Sequence, residues 1–383
     1  MDFSWTSDQL AYKNKVIDFA KEQLNDSVAQ RDENSVFSLD DWKKCAAFGI
    51  QGLSIPKKYG GTFEEVDVLS ATLAMEGLGY GCKDNGLPLA LNAHMWPVQL
   101  PIYQFGSDFQ KETFLRDMAS GKLIGCHGLT ETNSGSDVFN METTAVKVKN
   151  GYLLNGSKRY ITLAPVADLA LVFAVTNPKV GKWGISGFIV EKNTEGFEIG
   201  PNKPKMGMRT VPFGELKFNN CFIPDANRLG AEGAGWSIIL STLEFDRCNI
   251  LASQLGAMER QLEESIAFVK QRKQFGKSIG DFQSVSNRIA DMKLRLESSR
   301  LLLYKVAWLK GQGESAMMEA ALLKLQLSES FLASSIAAIR NHGGYGYVTE
   351  NEVERNLRDA VGGVIYAGTS DIQRKTIANL LGL

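Results

Sequence analysis

The sequence predicts a multidomain α+β protein in three parts: helical, then β-rich, then helical again. Three observations carry that prediction. The chain has 383 residues, more than one ordinary core accommodates. Its apolar residues recur at helical spacing towards both ends, and between about residues 122 and 225 they alternate or form short β-branched blocks. The division that follows is an N-terminal α-helical domain over 1–121, a central β domain over 122–230 and a C-terminal helical bundle over 231–383.

In the first part, Thr6-Ser7-Asp8-Gln9 has the pattern of a capping box, and Leu10, Val16, Ile17, Phe19, Ala20 and Leu24 follow on one helical stripe. Ser38-Leu39-Asp40-Asp41 is a second start signal, just before Trp42. The turn Lys58-Tyr59-Gly60-Gly61 precedes a helix expected from about Glu64 to Gly79, and another is expected from Asp108 to Ala119. In the middle, strands are expected around 144–148, 169–175, 184–190 and 215–222, with turns at Asn150-Gly151 and Asn155-Gly156. Without long helices between them, such strands form an antiparallel barrel or sandwich. From about Gly235 the period is helical through 236–272, 282–311, 315–340 and 351–362, and short connections between long amphipathic helices make a bundle.

Composition removes several classes of function. Lys plus Arg number 42 and Asp plus Glu 43, a balance that calls for neither nucleic acid nor an acidic membrane. No stretch reaches the roughly 18 unbroken apolar residues of a membrane span, and the N-terminus lacks an apolar leader, so a cytoplasmic address is expected. Five dispersed cysteines read as reduced thiols. The three histidines, His94, His127 and His342, lie far apart and open no metal-binding pair, so no metal is expected. Phe275-Gly276-Lys277-Ser278 resembles half a P-loop, but Gln271 stands where its first glycine belongs. Nor do the glycine pairs follow a strand, which disfavours a dinucleotide fold.

Four segments combine into something more specific. GLTETNSGSD (128–137) offers hydroxyls and backbone N–H groups in a turn-rich stretch suited to a polar ring edge or phosphate. KRYITL (158–163) places an aromatic and a hydroxyl two residues apart on a strand. RKQFGKSIGDFQ (272–283) connects two helices with a basic, aromatic tip. HGGYGY (342–347) and RDAVGGVIYAGTSDIQR (358–374) place a glycine-rich turn before a last helix whose N-terminal amides favour an anion. Taken alone, each is an ordinary loop, strand, helical hairpin or cap.

In this order, with MGMR (206–209) and FNNCFIPDANRLGAEGAGW (218–236), the segments resemble the acyl-CoA dehydrogenase superfamily of flavoproteins along essentially the whole chain. The resemblance implies an N-terminal helical domain, a central antiparallel β-barrel, a C-terminal four-helix bundle, a homotetramer, and FAD between barrel and bundle. Carried across by motif, Leu129 and Thr130 bond the flavin pyrimidine edge with His127 nearby. Gly135 and Ser136 approach the pyrophosphate, and Ser136 can instead meet the substrate's pantetheine. Tyr160 covers the ring and Thr162 bonds near N5. Arg272, Gln274, Phe275 and Gln283 serve the FAD of an adjacent subunit, along with Arg340 and the Gly343-Gly344 turn. Thr369 and Asp371 hold the other end. Arg340 and Leu163 replace a glutamine and an asparagine usual in the family.

The most informative departure is Ala367, which stands where many members carry the catalytic glutamate. Isovaleryl-CoA dehydrogenases and some other relatives place the base on the first bundle helix, directly before an arginine. Here that stretch is Leu243-Glu244-Phe245-Asp246-Arg247. Register against Arg247 selects Asp246, while Glu244 has the longer side chain, so both remain candidates. Arg247, Ser136 and Ala367 fall on the substrate side, and Ala367 leaves room for a branched or cyclic acyl group. The bundle segment also resembles a narrower branch, the prolyl-carrier-protein dehydrogenases and oxidases. It implies oxidation of a carrier-bound aminoacyl thioester, L-prolyl above all, to a 1-pyrroline-2-carboxyl thioester. The partners would be an acyl or peptidyl carrier protein, with an electron-transfer protein or dioxygen as acceptor. A branched short-chain acyl-CoA dehydrogenase, a flavin-bound homologue without a base and a flavin-dependent oxygenase are the alternatives.

Overall fold

The computed structural model describes residues 5–383. Its N-terminal part is helical: α1 (Ser7–Gln23), α2 (Val28–Asn34), α3 (Leu39–Phe48), α4 (Val68–Gly81), α5 (Gly86–His94), α6 (Leu100–Phe105), α7 (Asp108–Gln110) and α8 (Arg116–Ala119). The Thr6–Gln9 capping box forms, and Ser38 caps α3 through the Asp41 N–H. Asp67 caps α4, which therefore begins a turn later than the spacing suggests. The run from α5 to α6 is one continuous helical path through a π turn at Met95–Gln99, and the sequence did not announce it. Pro88, Pro97 and Pro101 read as breakers. Pro88 lies in the first turn of α5, where a missing N–H costs little, while Pro97 falls inside the π turn and Pro101 directly after it, where the path is still helical.

Eight strands make the central sheet: β1 (Gly125–Gly128), β2 (Thr144–Val148), β3 (Gly151–Thr162), β4 (Leu169–Val175), β5 (Ile185–Glu191), β6 (Phe197–Ile199), β7 (Phe213–Pro224) and β8 (Arg228–Leu229). Their order is β6-β7-β3-β2-β4-β5-β8, with β1 on β4. Pairing is mostly antiparallel, but β1 and β2 each run parallel to β4, because the β2–β3 hairpin lies between β1 and β4 in the chain. The turn expected at Asn155-Gly156 is instead a bulge inside the twelve-residue β3, where the register with β7 shifts between Leu154 and Gly156. Gly156 takes φ +138°, and a Cβ there would lie 2.7 Å from Thr143 Cα. A second shift, between Lys158 and Ile161, holds Tyr160 at φ +63°.

The bundle consists of α9 (Gly235–Gln271), α10 (Gln283–Gly311) and α11 (Met317–His342), with α12 (Gly344–Tyr347), α13 (Val353–Gly363) and α14 (Ser370–Leu380) following. α9, α10 and α11 pack on one another, and α13 and α14 both lie against α11. By length and composition α11 alone among the described residues is apolar enough to cross a membrane, and its apolar faces are spent on these neighbours. Between α9 and α10 the chain makes a tiny β-hairpin, β9 (Lys273–Gln274) and β10 (Lys277–Ser278), turning at Phe275 and Gly276, both at positive φ.

Two close contacts fix α9 relative to the N-terminal part. α4 and α9 cross with backbones touching: a Cβ on Gly79 would lie 1.9 Å from Ser253 O, and one on Gly256 2.0 Å from Glu76 O. Beside this crossing the buried Glu76 carboxylate accepts from Lys13 at 2.8 Å and Tyr304 at 2.7 Å, with Arg300 at 3.4 Å. The 205–211 loop is tied down in the same manner. Asp359 on α13 accepts from the Met208 N–H and from Asn85 at 2.9 Å, and Thr210 donates to Asp84 at 2.6 Å. All five cysteines are buried free thiols.

Candidate active site

On the sheet side, β1 and β3 bring the first two motifs together. The Arg159 N–H donates to Thr130 O at 2.8 Å. Lys158 is completely buried, donating to Leu129 O at 3.2 Å and pairing with Glu131 at 2.7 Å. Glu131 in turn accepts from the Glu142 and Thr143 N–H groups. Burial pulls the Lys158 ammonium down. Burial alone would raise Glu131, but Lys158 and these donors outweigh it and hold the carboxyl below its ordinary range. This pair is the peg on which the 128–137 loop hangs. It leaves Gly135 and Ser136 exposed, and a Cβ on Gly135 would meet nothing within 4 Å.

His127 stands half-buried on β1, its ring edge-on to Phe173 at 5.5 Å. Burial, then the Lys158 charge, push its pKa to about 4, so the imidazole is neutral near pH 7. The bulge presents Tyr160 outward, half exposed, stacked on Phe213 at 6.0 Å with the Arg159 guanidinium 5.1 Å from its ring. The simple alternation of a regular strand does not hold at this bulge. Thr162 is half-buried and paired with Phe213 across the sheet.

On the bundle side the two acids of α9 have different surroundings. Glu244 is committed: it accepts from Lys310 at 2.7 Å and from the Ala316 N–H at 3.1 Å, fastening α9 to the α10–α11 turn. Lys310 also lies 4.7 Å from the Phe245 ring. Glu244→Gln is expected to lower the unfolding midpoint, because it leaves Lys310 unpaired, while flavin reduction keeps its pH dependence; thermal melts and stopped-flow traces check this.

Asp246 carries a buried oxygen without a hydrogen-bond partner. Burial, only partly offset by Arg247, raises its pKa from 3.8 to about 7. Arg247, itself buried, donates through Nε to Ala367 O at 3.3 Å, and Gln373 donates to Gly368 O at 2.9 Å. These two bonds hold a turn in which Ala367 and Gly368 both adopt positive φ, +52° and +87°. Among the described residues, no acceptor takes the Ala367 N–H. Tyr366 accepts from Gln254, and burial followed by the Asp246 and Asp359 charges holds its phenol well above the ordinary value. One turn of α9 beyond Asp246, a small pocket opens between Asn85, Leu89, Met208, Ile250, Gln254 and Tyr366.

The remaining candidates lie elsewhere on the bundle. Arg272, Gln274, Phe275 and Gln283 are exposed around the β9–β10 hairpin, Phe275 by 93%. Phe268 packs, tilted, against His342 at 4.3 Å and Tyr345 at 5.3 Å, placing the Gly343-Gly344 turn at the same end of the bundle. Exposed Arg340 lines a groove between α10 and α11 with Arg288 and Arg295. Thr369 caps α14 through the Ile372 N–H, with exposed Asp371 beside it. Sequence reasoning missed Gln254, Met208 and Leu89 as pocket walls, and Lys158 as a buried cation. Lys158 sits between Ser157 and Arg159, and nothing in those letters marks it as the buried one.

Models of the acyl-CoA dehydrogenase N-terminal, middle and C-terminal domains match residues 6–122, 126–221 and 233–382. The chain belongs to the acyl-CoA dehydrogenase family. An L-prolyl-[peptidyl-carrier protein] dehydrogenase of a Serratia species is 39% identical to this member, covering 100% of the chain and 99% of the relative. Its counterpart in Pseudomonas fluorescens is 40% identical over the whole of both. Among solved structures, the prolyl acyl carrier protein oxidase AnaB superposes with a TM-score of 0.97 at 45% identity, over 99% of this chain and 100% of that one. PigA with FAD and proline superposes at 0.97 and 39%, over the whole of both.

The residues fit a flavin dinucleotide on their own chemistry. An open glycine-hydroxyl loop and an exposed tyrosine lie on the sheet side. At the start of α14 the buried Ser370 Oγ has no partner, a polar atom left for a ligand, while the Ser370 and Ile372 N–H groups are already held by Val364 O and Thr369 Oγ1.

Proposed function

We propose that this acyl-CoA dehydrogenase family member is an FAD-dependent oxidoreductase that oxidises an L-prolyl thioester on a peptidyl carrier protein to the 1-pyrroline-2-carboxyl thioester. The observation that carries the chemistry is Asp246: a half-buried carboxylate with one buried, unpartnered oxygen on the first bundle helix, across from the turn where Ala367 cannot act as a base. FAD, when bound, supplies the hydride acceptor. It is held by Leu129, Thr130, Gly135 and Ser136 on the loop, by Tyr160 and Thr162 on β3, and by the start of α14.

The chain's own residues do the rest. Asp246 takes the α-proton while the β-hydrogen would leave as hydride to the bound cofactor. The enamine thioester so formed becomes the 1-pyrroline when its N–H proton moves to the β-carbon, and a pKa of about 7 suits the base near neutral pH. Arg247 moderates the cost of the carboxylate and pins the Ala367 turn, whose free N–H is aimed as a donor for the thioester oxygen as charge develops. The absence of a long side chain at Ala367 and the small pocket beyond Tyr366 favour a compact ring over an extended acyl chain. Mass spectrometry of prolyl-loaded carrier protein after incubation is expected to show a product lighter by two hydrogens. Turnover of isovaleryl-CoA alone would instead make the enzyme a branched short-chain acyl-CoA dehydrogenase.

The active form is a homotetramer in which the β9–β10 hairpin, Gln283, Arg340 and the Gly343-Gly344 turn reach a neighbour's FAD. Support comes from a phenylalanine in the left-handed region, 93% exposed at the tip of a hairpin although its ring meets Phe282 edge-on at 6.0 Å. Phe275→Ala is accordingly expected to release flavin on dilution, read as the visible absorbance retained after gel filtration, while the thermal midpoint of the apoprotein stays unchanged. An electron-transfer protein or dioxygen would be the final electron acceptor.

A further inference from the structure

Beside the 128–137 loop the surface carries an aromatic and basic patch that the chemistry above does not use. It is built from three segments. The Val138–Asn140 turn, two residues beyond Ser136, contributes Phe139, 38% exposed. The Pro178–Gly184 segment between β4 and β5 contributes Lys179, Val180, Lys182 and Trp183, the tryptophan 57% exposed. The first turn of α9 contributes Trp236, which meets Phe139 edge-on at 4.3 Å. Packing makes the patch a fixed surface: a Cβ on Gly233 would lie 2.6 Å from Trp183 O. Lys182 Nζ sits 5.3 Å from the Trp183 ring and 5.7 Å from the Trp236 ring, so its charge is held between two indoles.

We propose that this patch is where the carrier protein docks, an inference that rests on the carrier-bound thioester reading above. An exposed Phe139 against a half-buried Trp236, with the exposed Trp183 joined to it through Lys182, is the composition of an interface centre, not of ordinary surface. Charge and reach select the occupant. The thioester arm of a carrier protein is joined to it through an anionic phosphodiester, and the patch sets Lys179 and Lys182 at its edge to meet that charge. Trp236 and Asp246 are ten residues apart on one helix, so the patch lies about 15 Å from the base along α9, within the span of an extended pantetheine arm. Ser136, on the loop between patch and site, lies where the arm would pass.

The test compares two substrates on the holoenzyme under anaerobic conditions, so that the electron acceptor plays no part. Flavin bleaching is followed with L-prolyl-loaded carrier protein and with L-prolyl-pantetheine thioester, for wild type, Trp183→Ala and Lys182→Glu. The expected result is a rise of about tenfold or more in the half-saturating carrier concentration for both variants, with the pantetheine ester bleaching at the wild-type rate. Equal losses on both substrates would mean the patch shapes the active site, and no loss on either would mean the carrier binds elsewhere. A change in oligomeric state on gel filtration would assign the patch to a contact between copies of the chain; each of these three results overturns the proposal. The function reading fails separately, and visibly, if wild-type enzyme bleaches with neither prolyl substrate.

Discussion

Asp246→Asn is expected to slow flavin reduction by prolyl thioester by about 10²–10⁴-fold and, above pH 7, to make the protein harder to unfold. Both effects come from one placement. In the folded chain the carboxyl holds its proton up to about pH 7, whereas unfolded it would lose it near 3.8. Below about pH 4 both states are protonated and the group contributes nothing to the pH dependence. As pH rises from there to 7, the unfolded state sheds a proton the folded state keeps, so folding stability falls, by about 1.4 kcal/mol for each unit. Above 7 the loss is complete and constant, about 4 kcal/mol in total. Asparagine has no charge to bury and escapes that penalty, at the cost of the base. Wild-type reduction should therefore rise with pH through an apparent pKa near 7, and Asp246→Glu should keep a sigmoidal profile at a lower rate. Thermal melts at pH 5 and pH 8 with stopped-flow bleaching at the same values decide the matter. If the asparagine variant melts lower than wild type at pH 8, or bleaches at the wild-type rate, Asp246 is neither strained nor the base.

The three-part architecture and the motif order were legible because they depend on local regularities: apolar period, capping boxes and turn residues. Thr6 and Ser38 cap the helices their letters announce. What stayed hidden depends on contacts far apart in sequence. Asn155-Gly156 has the letters of a turn, but pairing with β7 carries the strand through it as a bulge. The choice between Glu244 and Asp246 could not be read from register alone, since what separates them is Lys310, 66 residues away on α10. Of the prolines that look like breakers, Pro88 sits in the first turn of α5, where no donor is needed, while Pro97 and Pro101 lie in and just after a π turn through which the helical path continues. Local letters state which bonds a residue can make, and only the packed chain states which of them are already spent.

Lys158→Met is expected to destabilise the protein by about 3–5 kcal/mol and to strip it of flavin, although Lys158 is fully buried and reaches no ligand surface. Removing the ammonium leaves Glu131 buried with two backbone donors but without its counter-charge, and it frees Leu129 O from its donor. The loop from 128 to 137 then loses its anchor at Leu129, which the proposed function sets against the flavin pyrimidine edge. The double variant Lys158→Met with Glu131→Gln separates the two consequences. It removes both charges while the glutamine carbonyl can still accept from a loop N–H, so most of the stability should return, because a buried pair replaced as a unit is close to neutral. Flavin retention should stay impaired, since Leu129 O remains unanchored. Thermal midpoints report the first effect and the ratio of visible to ultraviolet absorbance after desalting the second. Should the single variant melt with the wild type, the buried pair would not be what holds the loop; should the double variant regain full flavin, the anchoring of Leu129 would be irrelevant to the cofactor.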